Sequence, residues 1–292
     1  MTKRAHNDRQ LIMKNYPLVS ITITTKNEEK NIADCLESIK QQTYPKIEII
    51  IVDNNSIDKT KKIARKYTKK VFNKGPERSA QRNFGMLRKS KGKYLMFLDA
   101  DMVLSKTVIS KAVNKLENSS LSAFYIPEIV LGDGFWSRVR RFERSFYDGT
   151  VIDCTRIIKK DIFIKSGGFD SELIGSEDWD LDKRIKKIGK VGLLSNKKAI
   201  IYHNEADFNL RNYLRKKKYY SGSFNKYIKK WGRDDPDVKK QFSPFYRCFI
   251  VFTEKGKWKK IVKNPFLFLG VYILKMGLGI IYLLSLFKKN EL

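Results

Sequence analysis

Apolar and polar positions divide the first hundred residues into alternating strand and helix segments. Leu18 to Thr25 (LVSITITT) is alternating and β-branched, the signature of a strand. Ile32, Cys35, Leu36 and Ile39 then recur at helical spacing, and Tyr44-Pro45 ends that helix. Ile47 to Val52 is apolar throughout and predicts a buried strand, followed by Asp53-Asn54-Asn55-Ser56. A helix from about Lys59 to Tyr67 and a short strand near Val71-Phe72 come next. Gly75-Pro76 opens another helix, with Pro in the favoured first position, and the run Lys93 to Leu98 is a further buried strand. Strands separated by single helices imply a mainly parallel sheet with helices on both faces.

The second half is less regular. Leu121 to Val130 reads as one strand and Phe135 to Tyr147 as an Arg- and aromatic-rich helix. Gly167-Gly168-Phe169-Asp170 is a turn, and Ser176 is the expected N-cap of a helix running to about Ile188. Ile200 to His203 is a short strand and Leu210 to Tyr220 a strongly basic helix. Past Pro244 the chain becomes aromatic, aliphatic and cationic. The expected organisation is therefore a basic tail over 1–16, an α/β domain over 17–240 and a membrane-associated helical segment over 241–292. Within that last segment 265–287 is a candidate span, long enough to cross a bilayer. Lys275 at its middle and Gly270, Gly277 and Gly279 weaken insertion. Tyr272, Lys275, Gly279 and Tyr282 share one helical face, so the segment fits a spanning helix with Lys275 packed on protein, or shallow interfacial helices. The flank Lys257 to Lys263 and the helix Arg211 to Lys218 suit an anionic membrane surface.

Composition narrows this further. The chain has 292 residues, 42% of them hydrophobic, which is enough for a large core. Sixty Lys and Arg against 31 Asp and Glu give a formal charge of +29, a field that attracts polyanions of any kind. Cys35, Cys154 and Cys248 are widely spaced and odd in number, which is neither a disulfide framework nor a zinc spacing and fits a reducing compartment. Met1 to Asn15 lacks the apolar core of a secretory signal.

The chemistry concentrates where the strand Lys93 to Leu98 ends, in Asp99-Ala100-Asp101. Carboxylates at i and i+2 of extended backbone leave on one face and can reach one cation. Oxygen ligation of that kind suits Mg²⁺ or Mn²⁺ bridging to substrate phosphates. The plain alternative is a strand running into an acidic helix start, since Asp is favoured there. What argues for the site is convergence: Thr24-Thr25, Asp53 and Asp99/Asp101 all fall at carboxyl ends of strands, where open α/β sheets bind ligands.

Taken in order, Val19-Ser-Ile-Thr-Ile-Thr-Thr-Lys-Asn-Glu-Glu, Val52-Asp53-Asn-Asn-Ser56-Ile-Asp58, Arg82-Asn83-Phe-Gly85, Asp99-Ala-Asp101 and Glu177-Asp178-Trp-Asp-Leu resemble the motifs of family 2 glycosyltransferases. The resemblance spans about residues 17–205 and implies a GT-A fold that uses nucleotide-diphosphate sugars. It departs at the second strand, where the usual acidic-glycine ending is Asp53-Asn54-Asn55-Ser56. By resemblance, Thr25, Asn27, Glu28, Asp53, Arg82, Asp99 and Glu177 contact the nucleotide sugar, Asp53 through the nucleobase. Asp99, Asp101 and His203 hold the Mg²⁺ or Mn²⁺, and Asp178 is the general base of a single inverting attack. Glu177 and Asp180 are expected to raise the Asp178 pKa, while Trp179 bounds the acceptor site or belongs to the core. The implied partners are a nucleotide-diphosphate sugar and a lipid-linked or glycan acceptor, with the catalytic domain on the cytoplasmic side of the cell membrane. A nucleotidyltransferase would need a glycine-rich first loop, and Thr24-Thr25-Lys26-Asn27-Glu28 has no glycine. A nucleic-acid-binding protein would explain the charge but leaves the apolar tail without a role, so no nucleic-acid partner is expected.

Overall fold

The structure, a computed structural model, describes residues 16–195, 198–205 and 208–287, without side-chain surroundings for 278 and 280–287. The tail expected over 1–16 therefore lies outside the described residues except for Tyr16. Strands β1 (Val19–Thr25), β2 (Ile47–Asp53), β3 (Val71–Asn73) and β4 (Tyr94–Asp99) are mutually parallel, in the order β3-β2-β1-β4. Beyond β4 the sheet continues through strands Ile157–Lys159, Leu121–Tyr125 and Lys190–Leu193, the first of these antiparallel to both neighbours. Strand β4 shows why such a run is apolar throughout. Tyr94, Met96 and Leu98 enter one core with β1 and the helix α1 (Ile32–Lys40), while Leu95 and Phe97 enter the core on the other face.

A smaller sheet decides the site. Met102–Leu104 pairs antiparallel with Ile201–Asn204, which also runs parallel to Glu128–Leu131. The strand expected over 121–130 is thus two strands in two sheets, broken at Ile126-Pro127 because proline cannot donate to a ladder. The helix expected to begin at Pro76 begins instead at Arg78 as α2 (Arg78–Asn83), with Glu77 at the cap position but no side-chain cap bond, and runs on as a π-helical turn over Phe84–Lys89.

The carboxy-terminal segment packs on the α/β domain. Helix α3 (Phe135–Arg144) supplies Val139 and Phe142 to a cluster with Tyr246, Val251, Phe252, Val271 and Leu274. The helix α4 (Glu177–Ile188) packs Leu181 and Ile185 beside Leu95 and Phe97 of β4, and α5 (Leu210–Ser221) reaches the carboxyl rim through Tyr219 and Tyr220. Helix α6 (Pro265–Phe287) approaches α3 through Gly270, where an added Cβ would lie 2.6 Å from Val139 Cγ2. Two residues of the expected polar stripe face inward: Tyr272 donates to the Cys248 carbonyl at 2.6 Å, and Lys275 pairs with Glu143 at 3.4 Å. Among the described residues no helix is long and apolar enough to cross a membrane. The distal half of α6, on which the expected span depends, lies outside the described side chains.

Candidate active site

Parallel pairing aligns the rim. Thr24 is in register with Asp99, and Thr25 with Asp53, so three strand ends open at one level. Asp53 is fully buried and its oxygens are already engaged: Thr25 Oγ1 donates at 2.7 Å, Ser56 N at 2.7 Å and Ser56 Oγ at 2.6 Å. It sits inside the rim and fastens the first loop to the second. Asn27 adds to that fastening from a left-handed backbone conformation that Asn tolerates. Its amide donates to Ser56 Oγ at 2.8 Å and its side chain accepts from Ile57 N at 3.0 Å. Glu28 is half-buried and faces Asp99 and Asp101; burial and those charges raise its pKa against a hydrogen bond from Asn31.

Arg82 joins the two halves of the site. Its guanidinium is wholly buried against the Phe97 and Phe169 rings, 4.5 and 5.2 Å from their centroids. Nη2 donates to Asp99 Oδ1 at 2.9 Å and Nη1 to Asp178 Oδ1 at 2.8 Å, with Glu177 at 3.7 Å. Burial opposes ionisation of Asp99, but the charges of Arg82, Arg78, Arg156 and His203 hold its carboxyl far below the usual range. Arg82 thereby reaches a carboxylate ninety-six residues away in sequence.

Antiparallel pairing of His203 with Met102 brings the imidazole beside Asp101, Nε2 to Oδ2 at 3.1 Å. Burial disfavours the charged imidazole, yet the Asp101 hydrogen bond and charge, with Glu128 and Glu205, raise its pKa. Asp101 Oδ1 is buried with no hydrogen-bond partner. An orphaned carboxylate oxygen beside an imidazole fits a divalent cation that takes its remaining ligands from phosphate and water. The expected trio is only partly assembled, because Asp99 has turned to Arg82. Among the described residues no three His, Cys, Asp or Glu side chains group to hold a metal.

Helix α4 begins at the rim with Glu177 and Asp178 in its first turn, where the helix dipole favours anions. Asp178 is about a quarter exposed and reaches the open side of the site, whereas Glu177 is buried. Glu177 accepts from Arg78 at 3.1 Å and leaves Oε2 unpartnered; burial and the Asp178 charge raise its pKa. Asp180 takes no part, being buried against Arg184, Lys230 and Trp231. Trp179 is core: its ring packs with Phe224, Tyr227 and Phe242, and its Nε1 donates to the Ile152 carbonyl. Ser176 occupies the cap position without a side-chain cap bond.

Several site residues were not apparent from sequence. Gln81 donates to the Val52 carbonyl at 2.7 Å and the Thr25 carbonyl at 3.2 Å, tying the ends of β1 and β2 together. Arg156 lies 5.2 Å from the Phe97 centroid and pairs with Glu128 at 2.7 Å. Helix α5 covers the rim: Tyr219 bonds Glu77 at 2.9 Å and Arg78 lies 4.9 Å over the Tyr220 ring. Gly175 permits that closure, since a Cβ there would sit 2.4 Å from Tyr220 Cβ. The consecutive Gln81-Arg82-Asn83 was the one legible signal, three polar residues on a short helix with three separate partners.

Residues 20–170 match the family model described as Glycosyl transferase family 2. An uncharacterized glycosyltransferase of Rickettsia typhi is 28% identical over 193 residues, 60% of this chain and 60% of that protein. The glycosyltransferase AglE of Haloferax volcanii is 34% identical over 114 residues, 36% of this chain and 37% of the relative. The chain thus spans less than two thirds of these relatives. In fold, mannosyltransferase PcManGT from Pyrobaculum calidifontis, in complex with GDP-Man and Mn²⁺, superposes with a TM-score of 0.56 at 18% identity, over 90% of this chain and 75% of that one. S. aureus TarS 1–349 with UDP-GlcNAc gives 0.53 at 19% identity, over 71% and 66%.

Proposed function

The chain belongs to glycosyl transferase family 2, and from that premise we propose that it moves a sugar from a nucleotide-diphosphate donor, with inversion, to a lipid-linked or glycan acceptor at the cytoplasmic face of a membrane. The observation that carries this reading is the Arg82 bridge, which sets the donor-side carboxylate Asp99 and the exposed Asp178 on one guanidinium. The neighbours bound to UDP-GlcNAc and to GDP-Man with Mn²⁺ support a nucleotide-sugar donor and divalent metal use.

Asp178 takes the proton of the acceptor hydroxyl as its oxygen bonds to the anomeric carbon. The bond from that carbon to the diphosphate breaks on the opposite face, and its electron pair leaves with the diphosphate oxygen. Arg82, buried, and Arg78, a third exposed, are held in place by carboxylates where that negative charge gathers. Asp101 and His203 would hold Mg²⁺ or Mn²⁺, which when bound supplies Lewis-acid stabilisation of the departing diphosphate. Glu28, at the mouth of the first loop, borders the same anionic space. With a lipid phosphate as acceptor the nucleophile is already ionised, and Asp178 positions it instead.

The test is a sugar-nucleotide panel read by thermal shift with Mn²⁺, followed by turnover of Asp178→Asn on the donor found. With a hydroxyl acceptor the variant should lose about 100-fold or more in kcat while keeping donor affinity. Absence of any donor-dependent shift across the panel refutes the reading.

A further inference from the structure

Helix α6 has two unlike faces over its first three turns. Gly270, Val271 and Leu274 are buried against the domain, and Lys275 reaches inward to Glu143. Phe266, Leu269, Ile273 and Met276, spaced three, four and three apart, are 80, 60, 50 and 66% exposed. That apolar stripe does not end with the helix. Phe249 lies 6.2 Å from Tyr272 between ring centroids and is itself half exposed. The short helix Trp258–Lys263 adds Trp258 and Val262, also exposed, immediately before the stripe begins. Lysines border this surface: Lys255, Lys259 and Lys263 are exposed, while Lys257 and Lys260 turn inward to backbone carbonyls of Phe146 and Ser145.

We propose that this lysine-bordered apolar face is a bilayer-docking surface that seats the domain in the interfacial region of an anionic membrane, side-on along the first turns of α6. The charge pattern chooses the occupant. Across a twofold axis a second copy would set the same lysines against their own kind, whereas anionic headgroups neutralise them. A tryptophan between lysines, at the edge of an aliphatic stripe, is the composition expected where headgroup meets acyl chain. The geometry fixes the attitude. Residues 266–276 span about 15 Å at the helical rise, and one side of them is bonded to the domain throughout. These turns therefore lie against the membrane surface, and the domain is held at its level. Glu143, the partner of Lys275, also pairs with Arg140, which reaches Glu205, one residue past the Ile201–Asn204 strand that carries His203. Only a helix layer separates the docking face from the catalytic rim, so an acceptor anchored in that bilayer meets the site without leaving it. This last point rests on the glycosyl-transfer reading; the docking itself does not.

Flotation of the full chain with vesicles of phosphatidylcholine, alone or mixed with phosphatidylglycerol, tests it. The chain should float with the anionic vesicles and dissociate as salt rises. The combined variant Phe266→Asp, Leu269→Asp, Ile273→Asp should bind about tenfold more weakly or worse, with its donor-induced thermal shift intact. The variant Lys255→Glu, Lys259→Glu, Lys263→Glu should lose the preference for anionic lipid. Quenching of fluorescence by brominated lipid, diminished in Trp258→Phe, should place the edge of the face in the headgroup region. Unchanged flotation of the aspartate variant overturns the proposal. So does a dimer that the same variant disperses in a protein that ignores vesicles. A normal donor shift beside failed flotation sinks the docking face alone, and the reverse sinks only the catalytic reading.

Discussion

Arg82 is wholly buried yet has three carboxylates within 4 Å, those of Asp99, Asp178 and Glu177. Removing one partner of such a set leaves charge stranded in low dielectric. Because Asp99 and Asp178 are each about a quarter exposed, Arg82→Met should cost about 3 kcal/mol, the lower end for a broken buried pair, by urea unfolding. Donor affinity should fall with it; a variant of parental stability would show that the carboxylates find other partners. Glu128 gives a second prediction at this scale. Burial opposes its ionisation, but Arg156 and Arg144, with His203, bring its pKa down from 4.5 to about 2. A folded-state pKa below the unfolded one stabilises the protein above the unfolded value, and that stability is lost as pH falls from about 4.5 toward 2. Glu128→Gln should therefore be less stable at neutral pH and decline less steeply across that acid window. Sequence could point to Asp99, Asp101, Asp178 and His203 as acids and bases of a site. It could not show that Asp99 bonds Arg82 while Asp101 bonds His203, because those choices depend on how α2 and the small sheet approach the rim.

Elements were most legible where one periodicity ran unbroken. β1, α1, β2 and β4 stand within a residue or two of expectation, since each buries a continuous face against a fixed neighbour. Legibility failed where a single residue redirects the chain. Pro127 splits one apolar run between two sheets, and nothing local states that its second half will pair with Ile201–Asn204. Trp179 was ambiguous for a similar reason, its core partners Phe224 and Phe242 lying some fifty residues on. The glycines of α6 weaken membrane insertion, but the structure gives Gly270 a packing reason as well. Gly270→Leu should force α6 away from Val139 and Phe135. An overpacking cost of about 1–3 kcal/mol should appear in the thermal midpoint, with donor binding preserved in the folded protein. A neutral result would mean that α6 is held elsewhere.

At the scale of the whole molecule, the +29 charge admitted several polyanionic partners. The family match resolves that choice toward the glycosyltransferases, and the solved neighbours share the fold. The carboxy-terminal segment, legible as apolar and basic, forms part of the domain's packing, because Lys275 answers Glu143 and Val271 and Leu274 join the cluster around Val139. Chelation gives a test on this scale: EDTA should abolish the donor-induced thermal shift, and Mn²⁺ or Mg²⁺ should restore it. A shift indifferent to EDTA would remove Asp101 and His203 from cation binding. The Arg82 bridge carries one more consequence, for timing. While Arg82 grips Asp178, one carboxylate oxygen is committed to the guanidinium, for which an arriving pyrophosphate competes. Initial-rate kinetics should accordingly be compulsory-order, with activated sugar first.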